Sequence, residues 1–192
     1  MQKLCKYSVP DAAEGNGGCG MIQLYYGDGK GKTTAAVGAA VRAAGRERRI
    51  IFAQFMKSGE SGELFILSKL SSVRILRSGE KFPFFREMSE AQKQALSAIH
   101  NEMLEEILKA LEENCADFVI LDEITHACRF GLLSETLLSR ILSYGKGQEV
   151  EIILTGRKPT KELLSCSDYR SEICCRKHPY EKGVKARFGI EY

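Results

Sequence analysis

No tryptophan occurs among the 192 residues, and proline (four) and histidine (three) are scarce. Without an indole, any flat apolar surface offered to a ligand must come from the nine phenylalanines and seven tyrosines. Long hydrophobic runs are missing too. The longest are strand-sized, such as FVIL at 118–121 and IIL at 152–154, far short of the roughly 20 residues of a bilayer-spanning helix, so no membrane partner is expected. Charge of one sign is not in excess: 28 Lys+Arg against 25 Asp+Glu leave +3. That balance does not argue for a nucleic-acid partner, and any anion site must be a local cluster. The seven cysteines, at 5, 19, 115, 128, 166, 174 and 175, are odd in number, follow no apolar signal segment and form no two CxxC-like pairs. This excludes a disulfide scaffold and a structural zinc site, and predicts reduced thiols in a cytoplasm. What is present is ordinary globular material, 44% hydrophobic and 28% charged, enough for one compact domain.

Residues 1–19 show no sustained periodicity, carry Pro10, Gly15, Gly17 and Gly18, and are expected to form a flexible amino-terminal arm. Residues 20–192 are expected to form a single α/β domain. From Met21 the text alternates short apolar runs with helical patterns: MIQLYY, a Gly-rich turn, TTAAVGAAVRAAG, then IIFAQF, a βαβ unit. VRIL at 73–76 reads as a further strand. Residues 89–114 are the longest helix, with Leu96, Ile99, Met103, Ile107 and Leu111 at steps of three and four and a capping box of Ser89 with Gln92. DFVILD and VEIILTG are apolar without alternation, as in strands covered on both faces. A helix over Ser134–Ser143 lies between them, another begins near Thr160, and SEICC at 171–175 reads as the last strand, with Asp168 placed to orient it. The pattern predicts a mostly parallel sheet flanked by helices.

The strongest local signal is Gly27-Asp28-Gly29-Lys30-Gly31-Lys32-Thr33-Thr34 at a strand-to-helix junction. Its glycines let backbone N–H groups curl around phosphate oxygens, and the helix start adds a positive end. Lys32 supplies a mobile cation, and the Thr33 hydroxyl suits Mg²⁺ (or Mn²⁺). The first glycine stands one place later than in GxxxxGK[ST], since Tyr26 occupies the usual position. A second strand ends in Leu121-Asp122-Glu123, acidic groups suited to the same metal. Arg157, after the IILTG strand, and Arg42, in the helix after the loop, can neutralise a polyphosphate. These residues point to a Mg·nucleoside triphosphate on an α/β sheet and leave the reaction open. Glu123 can serve as the base of an ATPase or kinase or as a metal ligand for attack elsewhere on ATP, and a nucleotide-sensing module without chemistry fits as well.

Over residues 21–192 the chain resembles the P-loop corrinoid adenosyltransferases. The shifted loop G-x-G-K-G-K-T-T is met by Gly27 to Thr34, and Q-F-x-K-G resembles Gln54-Phe55-Met56-Lys57, followed here by Ser58-Gly59. L-D-E is Leu121-Asp122-Glu123 and T-G-R is Thr155-Gly156-Arg157. A sixteen-residue tail pattern runs from Lys177-His178 to Gly189-Ile190-Glu191-Tyr192. The resemblance implies a RecA-like P-loop fold and transfer of the 5′-deoxyadenosyl group of ATP to the Co(I) centre of cob(I)alamin or cob(I)yrinic acid a,c-diamide, with release of triphosphate. It further implies a separate electron donor that reduces Co(II), and a homodimer. By position, Gly29 to Thr34 would wrap the triphosphate with Gly27 and Asp28 beside them, Thr33 and Glu123 would hold the metal with Asp122 nearby, and Lys32, Glu123 and Arg157 would carry catalysis. Relatives place an aromatic pair that includes Trp against the corrin. Here the nearest equivalents are Phe82 and Phe84, around Pro83 and beside Phe85. His126 and Cys128, and His178 with Cys174 and Cys175, are not read as metal ligands; the cysteines are read as core fillers and His178 as a packing or supporting group.

Overall fold

The sheet of this computed structural model, which describes residues 20–190 apart from 58, 60 and 148, has six strands, all pairing in parallel. They are β1 (Ile22–Tyr26), β2 (Ile50–Gln54), β3 (Val73–Arg77), β4 (Phe118–Asp122), β5 (Glu151–Gly156) and β6 (Tyr169–Glu172), in spatial order β3-β2-β4-β5-β1-β6. The helices are α1 (Lys32–Ala44), α2 (Gly62–Leu67), α3 (Glu90–Glu112), α4 (Ile124–Arg129), α5 (Glu135–Gly147) and α6 (Lys161–Cys166). This is the RecA-like P-loop architecture. The arm expected at 1–19 and the tail's last two residues lie outside the described residues.

The strands sort their side chains by parity onto two faces. Phe52, Ile120 and Ile153 pack against Ala36, Ala40 and Ala43 of α1, whose small size at steps of four and three lets that helix lie close to the sheet. Ile51, Val119, Leu121, Ile152 and Leu154 meet Leu104, Ile107 and Leu111 of α3 and Leu138 and Ile141 of α5 on the other face. Each large side chain fully buried this way contributes about 1.5–3 kcal/mol. Every residue of β2 is buried, as are all but the first of β4 and β5, which is why those strands carry unbroken apolar text. Both halves of the expected capping box on α3 form, with Ser89 Oγ accepting from the Gln92 N–H and the Gln92 side chain accepting from the Ser89 N–H.

The last strand differs from expectation: it occupies 169–172, not 171–175. Asp168 sets the register. Its Oδ2 accepts the Ile22 N–H at 2.8 Å, and its own N–H donates to the Ile22 carbonyl at 2.8 Å. Pairing therefore begins with Tyr169 opposite Gln23. After the Ile173 N–H reaches the Tyr26 carbonyl, the chain leaves the sheet and crosses the loop that follows β1. Among the described residues no helix is long and apolar enough to cross a membrane.

Candidate active site at the carboxyl edge of the sheet

The carboxyl ends of β1, β2, β4 and β5 share one edge, where Tyr26 is level with Gly156 and Gln54 with Asp122. In open α/β sheets this is where ligands sit. The Gly-rich loop leaves β1 here and enters α1 at Lys32. Gly31, the N-cap, has φ 121°, a conformation that side chains with a Cβ rarely adopt, and no side chain caps the helix, so its first N–H groups face outward. Gly29 is required for a different reason: a Cβ there would stand 2.7 Å from the Ile173 carbonyl oxygen and 2.8 Å from the Cys174 carbonyl. The Gly29 N–H donates to that same Ile173 oxygen at 2.7 Å. Lys32 is buried with its ammonium donating to the Gly29 carbonyl at 2.7 Å. Burial lowers its pKa, with Glu123 pulling the other way and Arg157 adding to the lowering.

Asp122, fully buried at the end of β4, is the hub. Its Oδ1 accepts from Thr33 Oγ1 at 2.9 Å and Thr155 Oγ1 at 2.6 Å; its Oδ2 accepts from Lys57 Nζ at 2.8 Å and Gln54 Nε2 at 3.3 Å. The next residue, Glu123, turns left-handed at φ 61°, a conformation that costs a non-glycine residue about 1–2 kcal/mol. Two contacts hold it there. The Glu123 N–H donates to Thr155 Oγ1 at 2.9 Å, and the carboxylate meets His126 Nδ1 at 2.6 Å. The turn ends the strand and opens Glu123 onto the cavity that Lys32 and Thr33 line.

Two cavities meet here. One, of about 590 Å³, is lined by the loop and α1 residues from Lys30 to Thr34, with Gly189 and Ile190 from the tail. The other, of about 1140 Å³, is lined by Phe82, Phe84, Phe85, Phe130, His126 and Arg157 among others. Lys57 and Glu123 line both. The first is a polyanion-sized cradle of N–H groups and cations; the second is wide and aromatic.

Of the residues expected at the site, Gly29 to Thr34, Asp122 and Glu123 come together. Asp28 is exposed but close enough to act on the Lys32 charge. Arg157 opens onto the aromatic cavity, and its charge also reaches Lys32. Arg42 is not brought to the loop. It stands in the last turn of α1, about 15 Å of helix rise from Lys32, because the helix leads away from the phosphate end, and its charge acts on Tyr25 instead. Phe82 and Phe84 both line the aromatic cavity, Phe84 being 82% exposed.

Lys57, Thr155, His126 and Phe130 were not expected here. Lys57 stands in the Gln-Phe-x-Lys text and Thr155 in the Thr-Gly-Arg text, both without an assigned role, and Phe130 reaches the site only through the fold. Phe130 stacks on Phe85 with centroids 3.9 Å apart and an interplanar angle of 6°, with Lys93 and Arg129 over the rings. No three His, Cys, Asp or Glu side chains gather as a metal-binding set among the described residues. Two carboxylates and one hydroxyl fit Mg²⁺, which keeps most of its coordination for water and phosphate oxygens.

Fold and site together define a P-loop nucleotide-binding enzyme with a second, aromatic cavity beside the loop. Residues 18–192 match the family ATP:corrinoid adenosyltransferase BtuR/CobO/CobP. The chain is 31% identical to the corrinoid adenosyltransferase of Escherichia coli (strain K12) over 175 residues, covering 90% of this chain and 86% of that one. It is 32% identical to corrinoid adenosyltransferase CobA of Salmonella typhimurium (strain LT2) over 177 residues, with the same coverage. The chain belongs to this corrinoid adenosyltransferase family, and its activity is the ATP-dependent adenosylation of corrinoids in cobalamin biosynthesis.

Proposed function

We propose that the enzyme moves the 5′-deoxyadenosyl group of Mg·ATP onto the Co(I) centre of cob(I)alamin or cob(I)yrinic acid a,c-diamide, with Gly29 to Thr34, Arg157, Asp122 and Glu123 as the working residues. The observation that carries this reading is the meeting of a phosphate cradle and a wide aromatic cavity at Lys57 and Glu123. Co(I) brings its own electron pair to C5′, a Co–C bond forms, the C5′–O bond breaks, and its electrons leave with inorganic triphosphate. The protein needs no activated side-chain nucleophile. Its work is to hold C5′ in line with cobalt and to stabilise charge growing on the leaving triphosphate.

For the second task the N–H groups at the start of α1 and the Lys32 ammonium bind the phosphates, and Arg157 adds charge from the side of the aromatic cavity. Thr33 and Glu123, with Asp122 behind them, would hold Mg²⁺ (or Mn²⁺), which when bound neutralises part of the triphosphate charge. Phe82 and Phe84 would face the corrin. An external reductant supplies Co(I) from Co(II), in a cytoplasm where thiols stay reduced. A homodimer is supported by exposed Tyr180, Val184 and Phe188 in the tail and by the wholly exposed edge strand β6.

Steady-state assays on both corrinoids, with light-sensitive alkylcorrinoid as the signal, test the assignment. Lys32→Ala and Glu123→Ala are each expected to lose about 100- to 1000-fold in turnover with unchanged circular dichroism. Undiminished turnover in either would place the site elsewhere. Replacing Phe82 and Phe84 together by Ala is expected to impair reaction from Co(II) more than from preformed Co(I), whereas equal impairment would count against their facing the corrin.

A further inference from the structure

The Lys57 ammonium sits where a metal would be expected. It lies 3.3 Å from Thr33 Oγ1, the hydroxyl assigned above to the cation, and 2.8 Å from Oδ2 of Asp122, the carboxylate placed behind it. It is held there by an unusual turn. Met56, just before it, has φ 58°, and its N–H is taken by Nε2 of the buried His100 at 3.3 Å. Lys57 also lines both cavities, so the space open to its head group is the junction where the leaving triphosphate and the corrin meet.

We propose that Lys57 is a two-position catalytic residue. Without a divalent cation it is the counter-charge of buried Asp122. When a divalent cation takes the Thr33–Asp122 corner, Lys57 is displaced by like-charge repulsion and by loss of its carboxylate lone pairs, and it turns into the nucleotide cavity to contact the triphosphate. The inference rests on the metal assignment above. Because one carboxylate cannot serve both cations fully, Lys57 and the metal bind in competition, and the competition is reciprocal. Triphosphate rewards the exchange, since it offers the displaced ammonium a new anion at the point where charge develops.

The consequence has an unusual sign: removing this positive charge should strengthen metal binding while weakening catalysis. Lys57→Gln keeps a donor for Asp122 without the charge, and Lys57→Arg keeps the charge. Binding of Mn²⁺, followed by the electron paramagnetic resonance of the free ion in the presence of ATP, is expected to tighten about tenfold in Lys57→Gln and not at all in Lys57→Arg. Turnover of Lys57→Gln at saturating metal is expected to fall about a hundredfold. Mn²⁺ binding that is unchanged or weaker in Lys57→Gln, or full turnover, would overturn the proposal. Thr33→Ala separates the two levels: if it leaves Mn²⁺ binding intact, the metal assignment falls and takes this inference with it, whereas a Thr33-dependent site indifferent to Lys57 removes the inference alone. Independently of any loss of fold in the Gln variant, the ¹⁵N signal of the Lys57 ammonium in the unmutated protein should shift when Mg·ATP is added, and a stationary signal would overturn the proposal.

Discussion

Single side chains at the site are fixed by groups buried behind it that line neither cavity. His100 is the clearest case. Buried against Phe55 in an edge-to-face contact, it accepts the Met56 N–H through Nε2 and must be neutral to do so, and desolvation pulls its pKa down to about 4. In the unfolded chain a histidine titrates near 6.5. As pH falls from about 6.5 to about 4 the unfolded state takes up a proton that the native state refuses, so stability present above 6.5 is progressively lost, by roughly 3 kcal/mol over the window. Urea unfolding at pH 7 and pH 4.5 should show this acid loss in the unmutated protein and a loss smaller by about that amount in His100→Gln, whose amide oxygen can still accept from Met56. Equal losses would mean that His100 is not the group involved. Two glycines give opposite predictions from the same substitution. Gly29→Ala drives a Cβ into the Ile173 carbonyl, and a clash against backbone costs about 1–3 kcal/mol, read as a Tm lower by roughly 2–4 °C per kcal/mol. Gly38→Ala meets nothing within 4 Å on the exposed side of α1 and should stabilise by about 0.5–1 kcal/mol.

At the level of elements, what could be read in advance was whatever repeats or caps itself. β4 and β5 announced their burial by unbroken apolar text, β2 its strand by the run IIFAQF, α3 its helix by three-four spacing and its box of Ser89 with Gln92, and the loop its place by glycines next to Lys32 and Thr33. Elements whose cause is tertiary stayed hidden or were placed late. α2 and α4 are six residues each, too short for periodicity, and α4 begins only because Glu123 is held left-handed by Thr155 and His126. β6 was legible as a last strand but two residues late, because it is exposed along its length and no hydrophobic pattern marks its start, which is fixed by Asp168 bonding to Ile22, a contact between positions 146 residues apart. The site divides the same way: Lys32, Thr33, Asp122 and Glu123 stand in text that also tells their role, Lys57 stands in recognisable text whose role only the sheet reveals, and Phe130 matters through where α4 carries it. The face-to-face pair of Phe85 and Phe130, flanked by Lys93 and Arg129, ties the turn at 85–87 to the end of α4 and forms part of the wall of the aromatic cavity. Phe130→Ala should cost about 2 kcal/mol and raise the KM for corrinoid more than that for ATP. A KM change confined to ATP would contradict this division of the two cavities.

For the molecule as a whole, one sheet presents a phosphate cradle and an aromatic cavity side by side, and Lys57 and Glu123 form the partition between them. The near balance of charge noted in the composition resolves into local order: Lys32, Lys57 and Arg157 gather around two carboxylates at one edge while the remaining charges cover the surface. The tail crosses the loop at Gly29 and returns at Gly189 and Ile190 to line the cavity beside the loop, which ties the last described residues to the phosphate-loop text. Its exposed apolar side chains predict self-association, and sedimentation velocity at micromolar concentration should find a dimer; a monomer would remove the partner from the account.

The proposed reaction makes a cobalt–carbon bond at C5′ and expels triphosphate whole. The direct measurement is a single-turnover reaction with ATP, Mg²⁺ and chemically reduced cobalamin, followed by quantitation of both products. One equivalent of inorganic triphosphate for each light-sensitive alkylcobalamin is the predicted result, with both yields falling together in Glu123→Ala. Orthophosphate as the phosphorus product, or triphosphate without alkylcobalamin, would contradict it.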